Sequence, residues 1–322
     1  MDELIGTAGQ RRRADELVRL AYEEFDGSLP DGRALLSGEV KMLRGAALGI
    51  GVCLANEEED DLVWDAKNQH GSSWGCWNDW GGHREIRAEV LRWACAYPKA
   101  KNLIDSYGIS LKSGLFKERI NLDGVDTHLR IGLWSCAIPL GLTATHARFH
   151  SLGLSGTFAG GVRAEGVKLT GDLNFRDGFY STNEVRIFGA EIGGDLDFSR
   201  SKLACHSSAS LGAANIQVMG NVLLRDGFQA LGEVQFQGAF IKGNLYCSGG
   251  IFESSASPSL SADGIEVLGD VSLGDSFSAL GEVRFAGSKI QGVFNYTGNG
   301  AFKLDLSAIH IGGAMFFQPR YQ

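Results

Sequence analysis

The chain has 322 residues, 44% of them hydrophobic, and a formal charge of −8 from 30 Lys+Arg against 38 Asp+Glu. That balance excludes the broad basic surface of a nucleic-acid binder, and the apolar content excludes a disordered chain. Glycine at 45 residues against 5 prolines points to many tight turns rather than a Pro-rich linker.

Charge is distributed unevenly. Residues 1–106 carry 13 basic and 19 acidic side chains, residues 107–159 carry 5 and 3, and residues 160–322 carry 12 and 16. Six scattered cysteines without a CxxC pair fit free thiols in a reducing compartment. The polar start followed by Arg11-Arg12-Arg13 has no apolar signal core, and the longest apolar run, residues 46–55, is too short for a bilayer. A cytoplasmic location without a membrane span is expected.

In chain order, residues 14–25 place Leu17, Leu20, Ala21 and Phe25 on one helical face. Residues 84–97 do the same with Ile86, Val90, Trp93 and Ala94, stopping before Pro98. Between them Trp64, Trp74, Trp77 and Trp80 sit among glycines. The cluster reads as an aromatic binding surface built on Trp74, Trp77, Trp80 and His83, or as indoles plugging the N-terminal end of a stacked core. His70, Cys76 and His83 could bracket a metal, but without an orienting acid the pattern assigns no metal and no cofactor.

From residue 107 the pattern changes to short period-2 alternations: Ile109/Leu111, Ile120/Leu122, Leu129/Ile131/Leu133, Ile138/Leu140/Leu142 and Leu152/Leu154. A unit of 49 residues then recurs three times in register. It is marked by Gly171, Gly220 and Gly269, by Asp177, Asp226 and Asp275, by Phe179, Phe228 and Phe277, and by Glu184, Glu233 and Glu282. Gly194, Gly243 and Gly292 each follow the marker glycine by 23 residues, so one unit is two coils of 23 and 26. Very short strands without helical alternation predict a right-handed parallel β-helix. Leu173/Val222/Val271, Phe175/Leu224/Leu273, Val185/Val234/Val283 and Ile192/Ile241/Ile290 should stack inside it. Asp177-Gly178-Phe179 reads as a loop leaving the coil and lengthening it. The domain reading is a helical, Trp-rich cap over 1–106 and a β-helix over 107–322.

The segment Arg84-Glu85-Ile86-Arg87-Ala88-Glu89-Val90-Leu91-Arg92-Trp93, then Tyr107-Gly108-Ile109, then repeats such as residues 188–198 (FGAEIGGDLDF), resembles bacterial pentapeptide-repeat-like β-helix proteins. Members are often labelled membrane-associated oxidoreductases, and long members follow the β-helix with apolar segments. This chain stops within a coil, at residues 311–316, which suggests a shorter relative or a truncated chain. The oxidoreductase label has no residue behind it: neither 45–51 nor 153–161 has the spacing of a dinucleotide-binding turn.

No P-loop, HExxH, GxSxG or EF-hand loop occurs. His146 and His150 would share a helical face, but a β segment sets them too far apart for a metal. The in-register Asp177/Asp226/Asp275 series, with Arg176 and Arg225 beside it, fits a turn requirement better than a catalytic group. The function expected is a non-catalytic scaffold for protein–protein interaction, acting through the N-terminal region or the open C-terminal end, where a homodimer could form. The alternatives are a carbohydrate-active β-helix or glycan binder and, more weakly, an acidic DNA mimic.

Overall fold

The structure, a computed structural model, describes residues 6–25, 35–55, 76–205, 209–254, 258–274, 276–297 and 302–318. Its body is a parallel β-solenoid of about nine turns with helices at the N-terminal end. Four sheets of 11, 9, 8 and 7 strands form four walls. One coil shows the order: Leu173–Asn174 on wall 1, Tyr180–Ser181 on wall 2, Val185–Arg186 on wall 3 and Glu191–Ile192 on wall 4. The coil is therefore four-sided, with walls 1 and 3 opposite each other.

Most strands are two residues long, so each usually sends one side chain inward and one outward. The inward positions make the core. All four ladders expected from the repeat are buried, none of their residues more than 1% exposed. An aromatic column runs through the same interior. Phe175 stacks on Phe198 with ring centroids 4.7 Å apart, and contacts continue through Phe228, Phe252, Phe277 and Phe302. Burying one such side chain contributes about 1.5–3 kcal/mol.

The two-coil unit is present in the pairing register. Leu173 pairs with Leu196, 23 residues on, and Leu196 with Val222, 26 residues on. The pattern repeats through Leu245 and Val271. The lengthening, however, lies elsewhere than the sequence suggested. Asp177 and Gly178 sit at φ 56° and 90° in the corner between walls 1 and 2, and Phe179 is fully buried. That corner stays on the coil: Leu173 to Tyr180 spans seven residues, against six from Leu196 to Lys202. The 26-residue coils gain at the next corner, where Lys202 to Leu211 spans nine residues against five from Tyr180 to Val185. A second correction concerns Leu140. It is 55% exposed, because Gly141 at φ 81° turns the chain there and resets the inward phase.

The marker glycines have a steric cause. A Cβ on Gly194, Gly220, Gly243, Gly269 or Gly292 would lie 2.0–2.4 Å from the rung before it. The next residue forms a ladder along this corner. Asp172 Oδ1 accepts the Asp195 N–H at 2.9 Å, Asp195 Oδ1 accepts that of Asn221 at 2.6 Å, and Asn221, Asn244 and Asp270 each accept from the coil beyond. These bonds satisfy corner N–H groups that no strand ladder reaches.

The N-terminal region contributes four helices: α1 (Ala8–Phe25), α2 (Ser37–Leu48), α3 (Ala88–Ala96) and α4 (Pro98–Leu103). Helix α1 begins six residues before the periodicity suggested, and α2 was not expected because Gly38 and Gly45 interrupt its pattern. Both glycines mark close approaches: a Cβ on Gly38 would meet the His83 carbonyl at 2.8 Å, and one on Gly45 would meet Val52 Cγ2 at 2.2 Å. Pro98 ends α3 and opens α4, where its missing N–H costs nothing.

This region also starts the solenoid. Val52–Cys53 pairs with Ile109–Lys112 as the first strand of wall 1, and Glu85 bridges Leu115 at the head of wall 2. A buried ion pair ties the pieces together. The Glu39 carboxylate, fully buried, accepts from Arg87 Nε at 2.7 Å, Arg87 Nη2 at 2.5 Å, the Arg87 N–H at 3.0 Å and the Leu36 N–H at 2.7 Å. With those donors in place the desolvated charge is compensated.

Candidate binding surfaces

Of the residues expected to bind, Trp74 lies outside the described residues, as do Trp64 and His70. Trp77 is placed against the outside of wall 2. Its indole stacks on Phe158 at 6.1 Å and 22°, and Phe158 stacks on Tyr180 at 6.0 Å and 15°. Phe158 and Tyr180 are consecutive outward rungs, and Ala137, the rung before them, is only 1% exposed although it belongs to that outer column. Partial burial pushes the Tyr180 hydroxyl above its usual pKa.

Trp80 is covered differently: the Arg84 guanidinium lies 4.7 Å from its ring centroid, a cation–π contact. His83, in the short turn Gly82–Arg84, is half-buried. The Trp-rich segment thus gives one indole to an aromatic ladder and one to a cation. Trp77 and Trp80 are not brought together into a single open platform. The coil's end is closed instead by buried Met42, Leu43, Ile86, Val90 and Leu91.

The repeated acids of the first corner are individually paired. Arg176 reaches Asp177 at 3.2 Å, Arg225 reaches Asp226 at 3.4 Å, and Arg200 pairs with Asp177 from the coil between. The positive φ of Asp177 and Asp226, 56° and 57°, accounts for a residue type that tolerates the left-handed region. Asp275 lies outside the described residues.

On wall 3 the repeating glutamates meet polar outward residues. Ser261 donates to Glu233 at 2.5 Å, Gln235 donates to it at 2.8 Å, and Lys303 pairs with Glu282 at 2.6 Å. Glu184 has weaker company in Arg186 at 4.0 Å, and burial raises its pKa.

Other reactive groups are dispersed. Burial pushes the Cys95 and Cys136 thiols up to about 12, and Cys247 higher still, which removes thiolate character from all three. His150 Nδ1 bonds the Thr170 hydroxyl at 2.9 Å, whereas His146 holds a corner at φ 53°. Among the described residues no three His, Cys, Asp or Glu side chains are gathered to hold a metal, and no helix is long and apolar enough to cross a membrane.

Two features lie outside these expectations. The first is the last coil. Strands Leu304–Asp305, His310–Ile311 and Met315–Phe317 end their walls. The aromatic column runs out through Tyr296 to Phe317, 5.0 Å away and 50% exposed, with Met315 and Phe316 equally open.

The second is a concavity of about 170 Å³ on the outer face of wall 1 near the capped end, lined by Tyr107, Ser110, Arg130, Gly132, Trp134, Ser151, Gly153 and Asn174 among others. Its signal was present in the sequence: reading Leu129, Ile131 and Leu133 as inward turns Arg130, Gly132 and Trp134 outward. No family model, curated protein or solved structure matches the chain.

Proposed function

We propose that this chain is a non-catalytic β-solenoid scaffold of the pentapeptide-repeat-like type, and that its last coil docks a second copy of the same chain. The four-sided coil with short walls supports the likeness. Side chains that could do chemistry recur in register, each paired locally, rather than converging on one rung. The observation that carries the docking reading is the apolar core running out at Met315 and Phe317 beside strand edges with no partner among the described residues.

The end is also self-complementary. A two-fold axis perpendicular to the solenoid can pass through opposite walls 1 and 3. In antiparallel pairing centred on Phe316, Met315 of one copy lies across from Phe317 of the other. Centred on Leu304, Lys303 lies across from Asp305, so opposite charges meet. The test is equilibrium sedimentation of the chain beside Phe316→Asp and Phe317→Asp. A concentration-dependent dimer lost in both variants, with unchanged circular dichroism, is the expected result; a wild-type monomer at high concentration overturns the reading.

A further inference from the structure

We infer that the concavity on the outer face of wall 1 is a binding site for a carboxylated sugar ring, such as a uronate residue of an acidic polysaccharide. The strand Arg130–Trp134 sends Arg130, Gly132 and Trp134 outward in turn. The next coil places Gly153 beside Gly132 and Ser151 beside Arg130, and the coil after that places Asn174 beside Gly153. The site is therefore a trough with two glycines for a floor and an arginine and an indole for walls.

The indole is held in place. Its Nε1–H donates to Ser110 Oγ at 3.2 Å, and its edge lies across the floor, 2.7 Å from where a Gly132 Cβ would stand and 3.4 Å from where a Gly153 Cβ would stand. A side chain on Gly132 would displace it. A volume of about 170 Å³ is below the roughly 300–1,000 Å³ of sites for larger ligands, and suits a single ring.

The chemistry of the lining selects the ligand. Arg130 is exposed and, among the described residues, makes no ion pair or side-chain hydrogen bond, unlike Arg176, Arg186 and Arg225 along the solenoid. An unpaired guanidinium is suited to a carboxylate, which it can bind through two parallel hydrogen bonds. Ser151 and Asn174 carry side-chain hydrogen-bonding groups with no protein partner among the described residues, as does the Tyr107 hydroxyl, and such groups match a polyhydroxylated ring.

Trp134 adds an apolar surface for the C–H side of that ring. The nearest acid, Asp172, turns its Oδ1 to the Asp195 N–H of the next coil. Residues 107–159 are also the one part of the chain with a basic excess, 5 against 3.

Titration calorimetry of the full chain with trigalacturonate, beside the neutral sugar maltotriose, tests the inference. The expected result is saturable binding of the acidic sugar, weaker by at least about tenfold in Arg130→Met and for maltotriose, as loss of a charged hydrogen bond implies. Gly153→Val keeps a strand-compatible residue on an outward position while filling the floor, and should abolish binding with thermal stability retained. Absence of binding to wild type at millimolar sugar overturns the inference. So does equal binding of the neutral sugar, or affinity unchanged in Arg130→Met or in Gly153→Val.

Discussion

The two ends of this solenoid solve the same physical problem in opposite ways. A stacked core exposes apolar area and strand edges wherever stacking stops. At the N-terminal end the chain closes itself: α2 and α3 supply Met42, Leu43, Val90 and Leu91, and Val52–Cys53 and Glu85 begin walls 1 and 2. At the other end Met315, Phe316 and Phe317 are each about half exposed. The first end is specified once, by residues that occur nowhere else in the chain. The second is the repeat cut across, and its exposed surface is what any interior coil would show if the next were removed.

The largest expected effects separate these ends. Glu39→Ala leaves Arg87 buried without its carboxylate and should cost about 3–5 kcal/mol, read by urea denaturation. Phe228→Ala opens a cavity in the aromatic column and should cost a similar ~3–5 kcal/mol. Phe317→Ala, in the same column but half exposed, should change unfolding of dilute protein by less than about 1 kcal/mol while weakening association. Equal losses for Phe228→Ala and Phe317→Ala in dilute protein would break the comparison.

Corner effects are intermediate. Gly220→Ala puts a methyl 2.2 Å from Asp195 Oδ1 and should destabilise by about 1–3 kcal/mol, whereas Gly189→Ala meets no atom within 4 Å and pays only for its positive φ of 62°. Asn221→Ala removes one rung of the corner ladder and should cost about 1 kcal/mol.

The smallest effect is a pH dependence at Glu184. Burial holds its folded pKa above the unfolded value, so the folded chain keeps a proton there that the unfolded chain has released. Stability contributed by this site is therefore present below the unfolded carboxylate pKa, is lost as pH rises through the raised one, and is flat above it. Glu184→Gln should remove that slope, raising the melting temperature at pH 7 relative to wild type but not at pH 3.5. A difference independent of pH would contradict the assignment.

How much was legible in the sequence follows the same division. The 49-residue period, its split into 23 and 26, and the inward ladders were all readable, because in a solenoid each coil repeats one packing problem. The corner between walls 2 and 3 was not. Its extra length falls on Ser- and Ala-rich residues without periodicity, while the conspicuous Asp177-Gly178 pair drew attention to a corner that stays on the coil.

Helix α2 was hidden by Gly38 and Gly45, which serve close packing against His83 and Val52 that only the fold brings near. The Trp-rich segment was read from composition alone, and composition does not say which ring face a neighbour will cover. The trough at Gly132 and Gly153 was half legible: alternation gives the outward phase of Arg130 and Trp134, but Asn174 and Ser151 join them only through coil register.

The proposal that the bare last coil is closed by a second copy is tested most directly by light scattering on the eluting 322-residue chain. The account predicts a mass near twice the 34.6 kDa of one chain, falling to that of one chain in Phe317→Asp. A single-chain mass for the wild type across the concentration range would contradict it.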